Sequence, residues 1–583
     1  MKTFLTVLSA FLLIALIGYQ ALIFFMTRPA AELSAGPTIS LTQGDIQSGI
    51  DRKDSGIFLF NGIPYAAAPV GDLRWRPPAP APVWKGLRDG RAFGPECLQR
   101  RTGSAEFYSD IVKGLGLSWA TQKLVAALYR NAPPPQESED CLYLNVRTGN
   151  LENEELQPVM VWLHGGSHQT GSGSSEIYQD NGLVRNGVVL VTINYRLGPF
   201  GYMAHPALSA DDPRGVSGNY GLLDQIAALE WVRDNIRAFG GDPSNVTVFG
   251  ESAGAQSVSE LMAAPDSRGL FHKGILQSGA STYNTNILDA AIPGRLSMHQ
   301  AGINFLQGIA DTDADAAMLR SIPGPVLIDQ IANHPEFRDY LLPTADGVVI
   351  PEIIGAAIMQ GNISGVPVLA GYNGDEGTLF YDEINAPTVL QVPFPDQHTA
   401  RLQTLYDIYG REDGDVLVAA YGLQSEQNYT AGAIDMLGDD LFGVHMRYLA
   451  KSLNQMGQPS WLYQFNRLPL SKKQTLGAFH AAEISFVFDS HSPFLERTVA
   501  DDELTVAMGQ YWANFAKTGD PNGSGLPEWQ QYDPETDFWL TFNPEIIPAN
   551  GLRATKLDIL ERTLQQRIID AVAATQTEPW PGA

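Results

Sequence analysis

The stretch Asn245-Val-Thr-Val-Phe-Gly-Glu-Ser-Ala-Gly254 is an apolar run that leads into a serine, Ser252, with a glycine two positions away on either side. Residues 246–249 are predicted to form a buried strand, and residues 255–262 are compatible with a helix. A serine on such a sharp turn has a strained backbone, and glycine leaves the room that the turn needs. The stretch therefore predicts a nucleophile at a helix N-terminus, where the dipole and the free N–H groups favour an oxyanion.

The pattern around this stretch predicts the fold class. Short apolar runs bounded by Gly, Pro, Asn or Asp are typical of strands that are buried on both faces. They occupy residues 159–163, 188–193, 246–249, 274–276, 366–370 and 461–465. Amphipathic helical spacing covers residues 222–236 and 504–515, and Gly519 is placed as a C-cap of the second helix. Alternating buried strands and helices indicate an α/β fold with a large, mostly parallel central sheet.

A glycine-rich segment follows the apolar run at residues 159–163, namely His164-Gly165-Gly166-Ser167. Acyl transfer needs N–H donors close to the carbonyl oxygen as that oxygen becomes negative, and glycines allow the backbone to approach. The N–H groups of Gly165, Gly166 and Ala253 form a candidate oxyanion hole of the HGG type. We expect His164 to be a structural residue that holds this loop.

The acid and the base of a serine triad in this fold follow the nucleophile in that order along the chain. The predicted strand at residues 366–370 leads to two adjacent carboxylates, Asp375 and Glu376, and the residues alone do not choose between them. Of the later histidines, spacing favours His480, and His491 is the close competitor.

The overall composition fits one large folded domain, residues 38–583, after a short linker at residues 28–37. The chain has 583 residues, 44% of them hydrophobic, and a formal net charge of −26. This acidity argues against nucleic acid as a partner, because phosphate binding needs clusters of Lys and Arg.

The N-terminus, residues 1–27, is predicted to be a signal peptide or a signal anchor. Lys2 precedes an apolar run at residues 4–26, which as a helix would be about 35 Å long and would cross a bilayer. An uncleaved anchor is favoured because the apolar region of a cleavable signal is shorter. The body is then periplasmic or extracellular, secreted or membrane-anchored, and the two cysteines, Cys97 and Cys141, are expected to form a disulfide.

Several longer motifs occur in a fixed order and resemble the type-B carboxylesterase family, which also contains cholinesterases and the non-catalytic neuroligins. The matches extend from residue 38 to about residue 545. They include Phe60-Asn-Gly-Ile-Pro-Tyr-Ala66, Leu73-Arg-Trp-Arg-Pro-Pro78, Ser138-Glu-Asp-Cys-Leu-Tyr-Leu-Asn145, Asn194-Tyr-Arg-Leu-Gly198, Gly218-Asn-Tyr-Gly-Leu-Leu-Asp-Gln225, the extended motif Gly240–Gly254 and Thr518-Gly-Asp-Pro-Asn522.

The resemblance implies an α/β-hydrolase fold and a serine carboxylic-ester hydrolase with Glu376 as the acid and His480 as the histidine. It also implies the disulfide between Cys97 and Cys141, a small-molecule ester as substrate, and no metal or organic cofactor. The choline-binding Trp of cholinesterases is missing near Asn131, so a cholinesterase is not expected. The helical apolar pattern at residues 107–129 suggests a lid over the site.

Two other functions are compatible with these residues. The first is a non-catalytic surface adhesion or binding protein on the same fold that retains the triad. The second is hydrolysis of amides or carbamates by the same site. The intact set of Ser252, Glu376 and His480 favours the esterase.

Overall fold

A computed structural model describes residues 33–100, 111–151, 155–283, 286–292, 294–380 and 398–576. Its strands are β1 Ser34–Leu41, β2 Gly44–Ile50, β3 Phe58–Pro64, β4 Leu87–Gly90, β5 Glu96–Cys97, β6 Glu137–Ser138, β7 Tyr143–Thr148, β8 Gln157–Leu163, β9 Val189–Ile193, β10 Gly241–Glu251, β11 Lys273–Gln277, β12 Val368–Asn373, β13 Ser460–Phe465, β14 Phe538–Phe542 and β15 Ile546–Asn550.

The helices lie mostly between these strands. They are α1 Trp119–Asn131, α2 Gly182–Arg185, α3 Gly198–Tyr202, α4 Pro206–Asp211, α5 Tyr220–Asn235, α6 Ala253–Ala263, α7 Met298–Phe305, α8 Ala316–Arg320, α9 Gly324–Asn333, α10 Ile354–Gln360, α11 His398–Ala420, α12 Glu426–Gly438, α13 Val444–Gln455, α14 Ile484–Phe488, α15 Val499–Thr518 and α16 Ala554–Gln576. A π-helical turn, Asp439–Gly443, joins α12 to α13.

One large sheet organises the fold, with the strand order β1-β2-β3-β7-β9-β8-β10-β11-β12-β13-β14-β15 and with β4 beside β2. The strands from β9 to β14 in this order are all parallel to one another. The flanking strands on both sides pair in antiparallel fashion, except that β4 is parallel to β2. The mostly parallel α/β sheet predicted from the apolar runs is confirmed.

Helices cover both faces of this sheet, as the side chains of β8 show. Val161 points into a core that also contains Val258 of α6, whereas its neighbour Trp162 points into a second core that contains Trp512 of α15. Successive strand residues face opposite sides of a sheet. The continuous apolar character of β8 is therefore explained by burial on both faces.

The parallel strands place their carboxyl ends at one edge of the sheet. The loops after β8, β10, β11, β12 and β13 therefore start close together, and ligands of open α/β sheets bind at this edge. These loops contain every residue predicted for catalysis. The fold thus brings together segments that are more than 300 residues apart in the chain.

The predicted domain boundaries need one correction. Residues 34–37 were assigned to a linker because Ala-Gly-Pro is typical of one, but β1 begins at Ser34 and pairs with β2. This strand lies at the edge of the sheet, where Gly and Pro are tolerated. The predicted anchor, residues 4–26, lies outside the described residues, and none of the helices within them is long and apolar enough to cross a membrane.

The predicted disulfide joins Cys97 at the end of β5 to Cys141 before β7, and both residues are buried. The loop that it closes carries α1, Trp119–Asn131, which accounts for the C-terminal half of the helical pattern noted at residues 107–129. Residues 101–110 lie outside the described residues.

Candidate active site

Ser252 forms the turn between β10 and α6. Its backbone has φ 56° and ψ −124°, a combination that is unfavourable for a residue with a side chain. Its N–H donates to the carbonyl of Gln277 at 2.9 Å, which ties the turn to the neighbouring strand. Gly254 has to be a glycine because a Cβ atom there would lie 1.9 Å from the carbonyl oxygen of Leu163. The strand-turn-helix geometry predicted from the motif is present.

The glycine-rich loop after β8 lies directly against this turn. A Cβ atom on Gly165 would lie 3.1 Å from Cβ of Ser252, and Gly166 has φ 113°. Ala253 is the first residue of α6, so its N–H has no partner within that helix. In the part of the chain that the structure describes, the N–H groups of Gly165, Gly166 and Ala253 donate no hydrogen bond to the protein. The loop can therefore offer donors to a substrate oxygen.

His164 at the start of this loop is buried and stacks on Tyr195, with ring centroids 4.4 Å apart. Burial lowers the pKa of His164 to about 4, so the ring is neutral at physiological pH. The carbonyl of His164 accepts a hydrogen bond from the Tyr195 hydroxyl at 2.7 Å. These contacts agree with a structural role for His164.

Glu376 and His480 meet above the carboxyl ends of β12 and β13. His480 Nδ1 lies 2.6 Å from Oε2 of Glu376, which is fully buried. The other carboxylate oxygen, Oε1, accepts from the Ser278 hydroxyl at 2.5 Å and from the Asn373 N–H at 2.7 Å. Three donors thus fix the carboxylate, and the carboxylate in turn fixes the orientation of the imidazole.

The second ring nitrogen of His480 faces another carboxylate. Nε2 lies 3.0 Å from Oε1 of Glu251, the residue that precedes Ser252. Among the hydrogen bonds of the described residues there is none between Ser252 Oγ and His480. Burial lowers the pKa of His480, but the charges of Glu251 and Glu376 outweigh burial and raise that pKa well above its usual value.

Asp375 and His491, the alternatives to Glu376 and His480, have different hydrogen-bond partners. Asp375 Oδ2 accepts the N–H of Ala478 at 2.8 Å, so its carboxylate faces the backbone of the histidine loop. His491 Nε2 lies 2.8 Å from the hydroxyl of Thr505 in α15. It is Glu376 and His480 that the structure brings together.

Sequence reasoning missed a network of polar side chains beneath His480. Glu483 is fully buried and accepts from Gln277 Nε2 at 2.9 Å and from Asn373 Nδ2 at 2.6 Å. Asn373 Nδ2 also donates to the carbonyl of Phe479, the residue before His480. Burial, and then the nearby carboxylates, raise the pKa of Glu483 to about 7. This network holds the histidine loop against β11 and β12.

The positions of Ser278 and Asn373 in the sequence could have predicted their place in the site. Asn373 is the last residue of β12, and Ser278 follows β11 directly. Polar residues at the carboxyl ends of buried parallel strands lie at the ligand-binding edge. Glu483 carried no such signal because it follows a long loop after β13.

Comparison with known proteins identifies the relatives of this chain. A profile of the carboxylesterase family matches residues 35–560. The chain is 35% identical to a para-nitrobenzyl esterase of Bacillus subtilis, over 86% of this chain and 94% of the relative. It is 33% identical to a fumonisin B1 esterase of Sphingopyxis macrogoltabida, over 87% of each. The chain belongs to the carboxylesterase family.

Solved structures agree with this assignment. The fold superposes on the crystal structure of a carboxylesterase of Geobacillus stearothermophilus with a TM-score of 0.71, at 30% identity, covering 90% of this chain and 99% of that one. A para-nitrobenzyl esterase structure matches with a TM-score of 0.70. The chain is therefore an α/β-hydrolase and a carboxylic-ester hydrolase, and its relatives are carboxylesterases rather than cholinesterases.

Proposed function

We propose that this carboxylesterase hydrolyses small-molecule esters through an acyl-enzyme formed on Ser252. His480 acts as the general base and then the general acid, and Glu376 orients its ring. The observation that carries the proposal is the 2.6 Å contact between Glu376 Oε2 and His480 Nδ1 at the same sheet edge as the strained turn of Ser252. This arrangement corresponds to the serine triad found on several folds.

The reaction has two steps of the same kind. His480 Nε2 takes the proton of Ser252 as Oγ attacks the ester carbonyl, and the imidazolium then protonates the departing alcohol. Water attacks the acyl-enzyme by the same route and releases the acid. The N–H groups of Gly165, Gly166 and Ala253 stabilise the oxyanion in both steps.

Nε2 must turn from Glu251 to Ser252 before the attack. The 3.0 Å contact with Glu251 is compatible with this, because catalytic hydrogen bonds in a ligand-free site often form only when substrate is bound. The negative charges of Glu251 and Glu376 then both stabilise the imidazolium.

We also propose that the body is exported and held at a membrane by residues 4–26. Support comes from the length and apolar character of that segment and from the disulfide between Cys97 and Cys141, a bond that persists in oxidising compartments. Cell fractionation combined with protease protection of the full chain tests this. Protection of the body together with cytoplasmic markers would contradict it.

Covalent labelling tests the proposed mechanism. A fluorophosphonate should modify the full-length chain on the peptide that contains Ser252, and His480→Gln should abolish labelling. The matched control is His491→Gln, which removes the competing histidine and should leave labelling intact. Equal labelling of the wild type and His480→Gln, or an adduct on another serine, would contradict the proposal. A protein that only binds partners would not react at all.

A further inference from the structure

The imidazole of His480 lies in a corner formed by two aromatic rings. The ring of Phe442 is nearly parallel to it, with an interplanar angle of 23° and centroids 4.9 Å apart. The ring of Phe380 meets it at 67° with centroids 5.0 Å apart. Glu376 and Glu251 lie at the two nitrogens, on the edge of the ring, and Phe442 covers one face of the imidazole.

Phe442 reaches this position from an unusual backbone element. It belongs to the π-helical turn Asp439–Gly443, which interrupts an otherwise continuous α-helical path from α12 to α13. Such turns are rare and often occur at functional sites. A regular α-helix through the same residues would rotate the later side chains around the axis and would present a different residue to His480.

The turn is held in place by one buried carboxylate. Asp439 accepts hydrogen bonds from the hydroxyls of Tyr372 at 2.9 Å and Tyr421 at 2.6 Å, and from Nε of Arg553 at 2.9 Å. Tyr372 belongs to β12, the strand that leads to Glu376. The turn is therefore tied to the strand that also places the acid.

Two glycines flank the turn and allow it to approach the site closely. A Cβ atom on Gly438 would lie 3.2 Å from Cβ of Glu376, and one on Gly443 would lie 2.8 Å from Cζ of Tyr372. Both glycines have ordinary helical φ values of −61° and −57°, so they are needed for close packing and not for backbone freedom.

We propose that Phe442, presented by this turn, is a positioning residue whose ring face stabilises the imidazolium form of His480 during acyl transfer. The inference rests on the proposed role of His480. As the proton moves from Ser252 Oγ to Nε2 and the new C–O bond forms, positive charge appears on a ring that lies over the negative face of an aromatic system. The attraction grows in the transition state and therefore accelerates the reaction. It acts perpendicular to the ring plane, whereas the two carboxylates act within it.

The test changes the electron density of the ring while its shape is kept. Phenylalanines with increasing fluorine content replace Phe442 in the full-length chain, and hydrolysis of a nitrophenyl butyrate is measured. We expect kcat to fall stepwise as fluorines are added, by about tenfold over the whole series, because a desolvated cation–π contact contributes on that scale. KM should stay unchanged. Phe442→Leu should lose at least as much.

The matched control is Phe486, whose ring meets His491 edge-on with centroids 4.7 Å apart. The same fluorinated series at Phe486 should leave kcat unchanged. A kcat that stays constant across the Phe442 series would overturn the proposal. This holds even if Phe442→Leu is impaired, because loss of packing alone would then explain that impairment. If the proposed triad itself is wrong, a different result is expected, because His480→Gln would then retain fluorophosphonate labelling.

Discussion

His480 Nε2 lies 3.0 Å from Oε1 of Glu251, the residue next to the proposed nucleophile. Together with Glu376 on Nδ1, this contact places the imidazole between two carboxylates. The arrangement stabilises the protonated ring, which is the form that catalysis has to generate. It also raises the pH at which the neutral base becomes available.

Glu251→Gln is expected to move the acid limb of the kcat/KM profile to lower pH. Activity needs neutral His480, so the rate rises with pH through the pKa of that residue. Burial lowers this pKa, and Glu251 is the larger of the two charges that raise it, so loss of that charge lowers it. The plateau rate should fall because the imidazolium loses a partner. An unchanged acid limb, matching that of the exposed control Glu503→Gln, would contradict this.

Ser278→Ala is expected to lower kcat by about tenfold, because a hydrogen bond to a charged group is lost from Glu376. The carboxylate keeps the Asn373 N–H and should hold the imidazole less firmly. The control is Ser281→Ala, which removes a hydrogen bond from a buried hydroxyl to Glu260, a carboxyl group outside the site. Steady-state kinetics on a nitrophenyl ester should show a loss for Ser278→Ala alone, and equal losses would argue against a specific role.

Glu260→Gln should remove part of the loss of stability at high pH. Burial raises the pKa of Glu260 from 4.5 to about 8, against the opposing effect of bonds from Ser281 and Ser257. The folded state keeps a proton that the unfolded chain releases in this window, so the free energy of unfolding falls as pH rises through it.

Denaturant midpoints of the wild type and Glu260→Gln at about pH 5 and about pH 8 test the Glu260 prediction. The denaturant midpoint of Glu260→Gln should increase relative to that of the wild type as pH rises. A difference between the two midpoints that is the same at both pH values would contradict the raised pKa of Glu260.

Removal of the disulfide should destabilise the fold without changing the chemistry. Cys97 and Cys141 are 44 positions apart, so the loss in the free energy of unfolding is expected to be about 4 kcal/mol from chain entropy. Unfolding of Cys97→Ser/Cys141→Ser should begin at lower denaturant, and addition of a reductant should change the midpoint of the wild type only. Equal midpoints for the wild type and the double variant would contradict this expectation.

Local sequence pattern was sufficient to predict the elements whose burial and backbone geometry depend on neighbouring residues. The six apolar runs correspond to strands β8 to β13, and Gly519 caps α15 with φ 80° as expected. The turn at Ser252 follows from its flanking glycines in the same way. The start of β1 was missed because an exposed edge strand lacks an apolar pattern.

The parts of the site that depend on distant contacts could not be obtained in this way. His480 and His491 both lie near apolar segments, so local pattern did not decide between them, whereas the structure pairs His480 with Glu376 and His491 with Thr505. The π-turn that presents Phe442 was not predicted, because no proline or other clear break separates the segments that form α12 and α13. Its position depends on close packing of Gly438 and Gly443 against Glu376 and Tyr372, which are distant in the chain.

The central claim is that Ser252 is the nucleophile of the carboxylesterase. Its most direct test is kcat/KM of the full-length Ser252→Ala variant on a short-chain nitrophenyl ester, with circular dichroism to verify folding. We expect a loss of at least about 10⁴-fold relative to the wild type. Hydrolysis by a folded Ser252→Ala at the wild-type rate would contradict it.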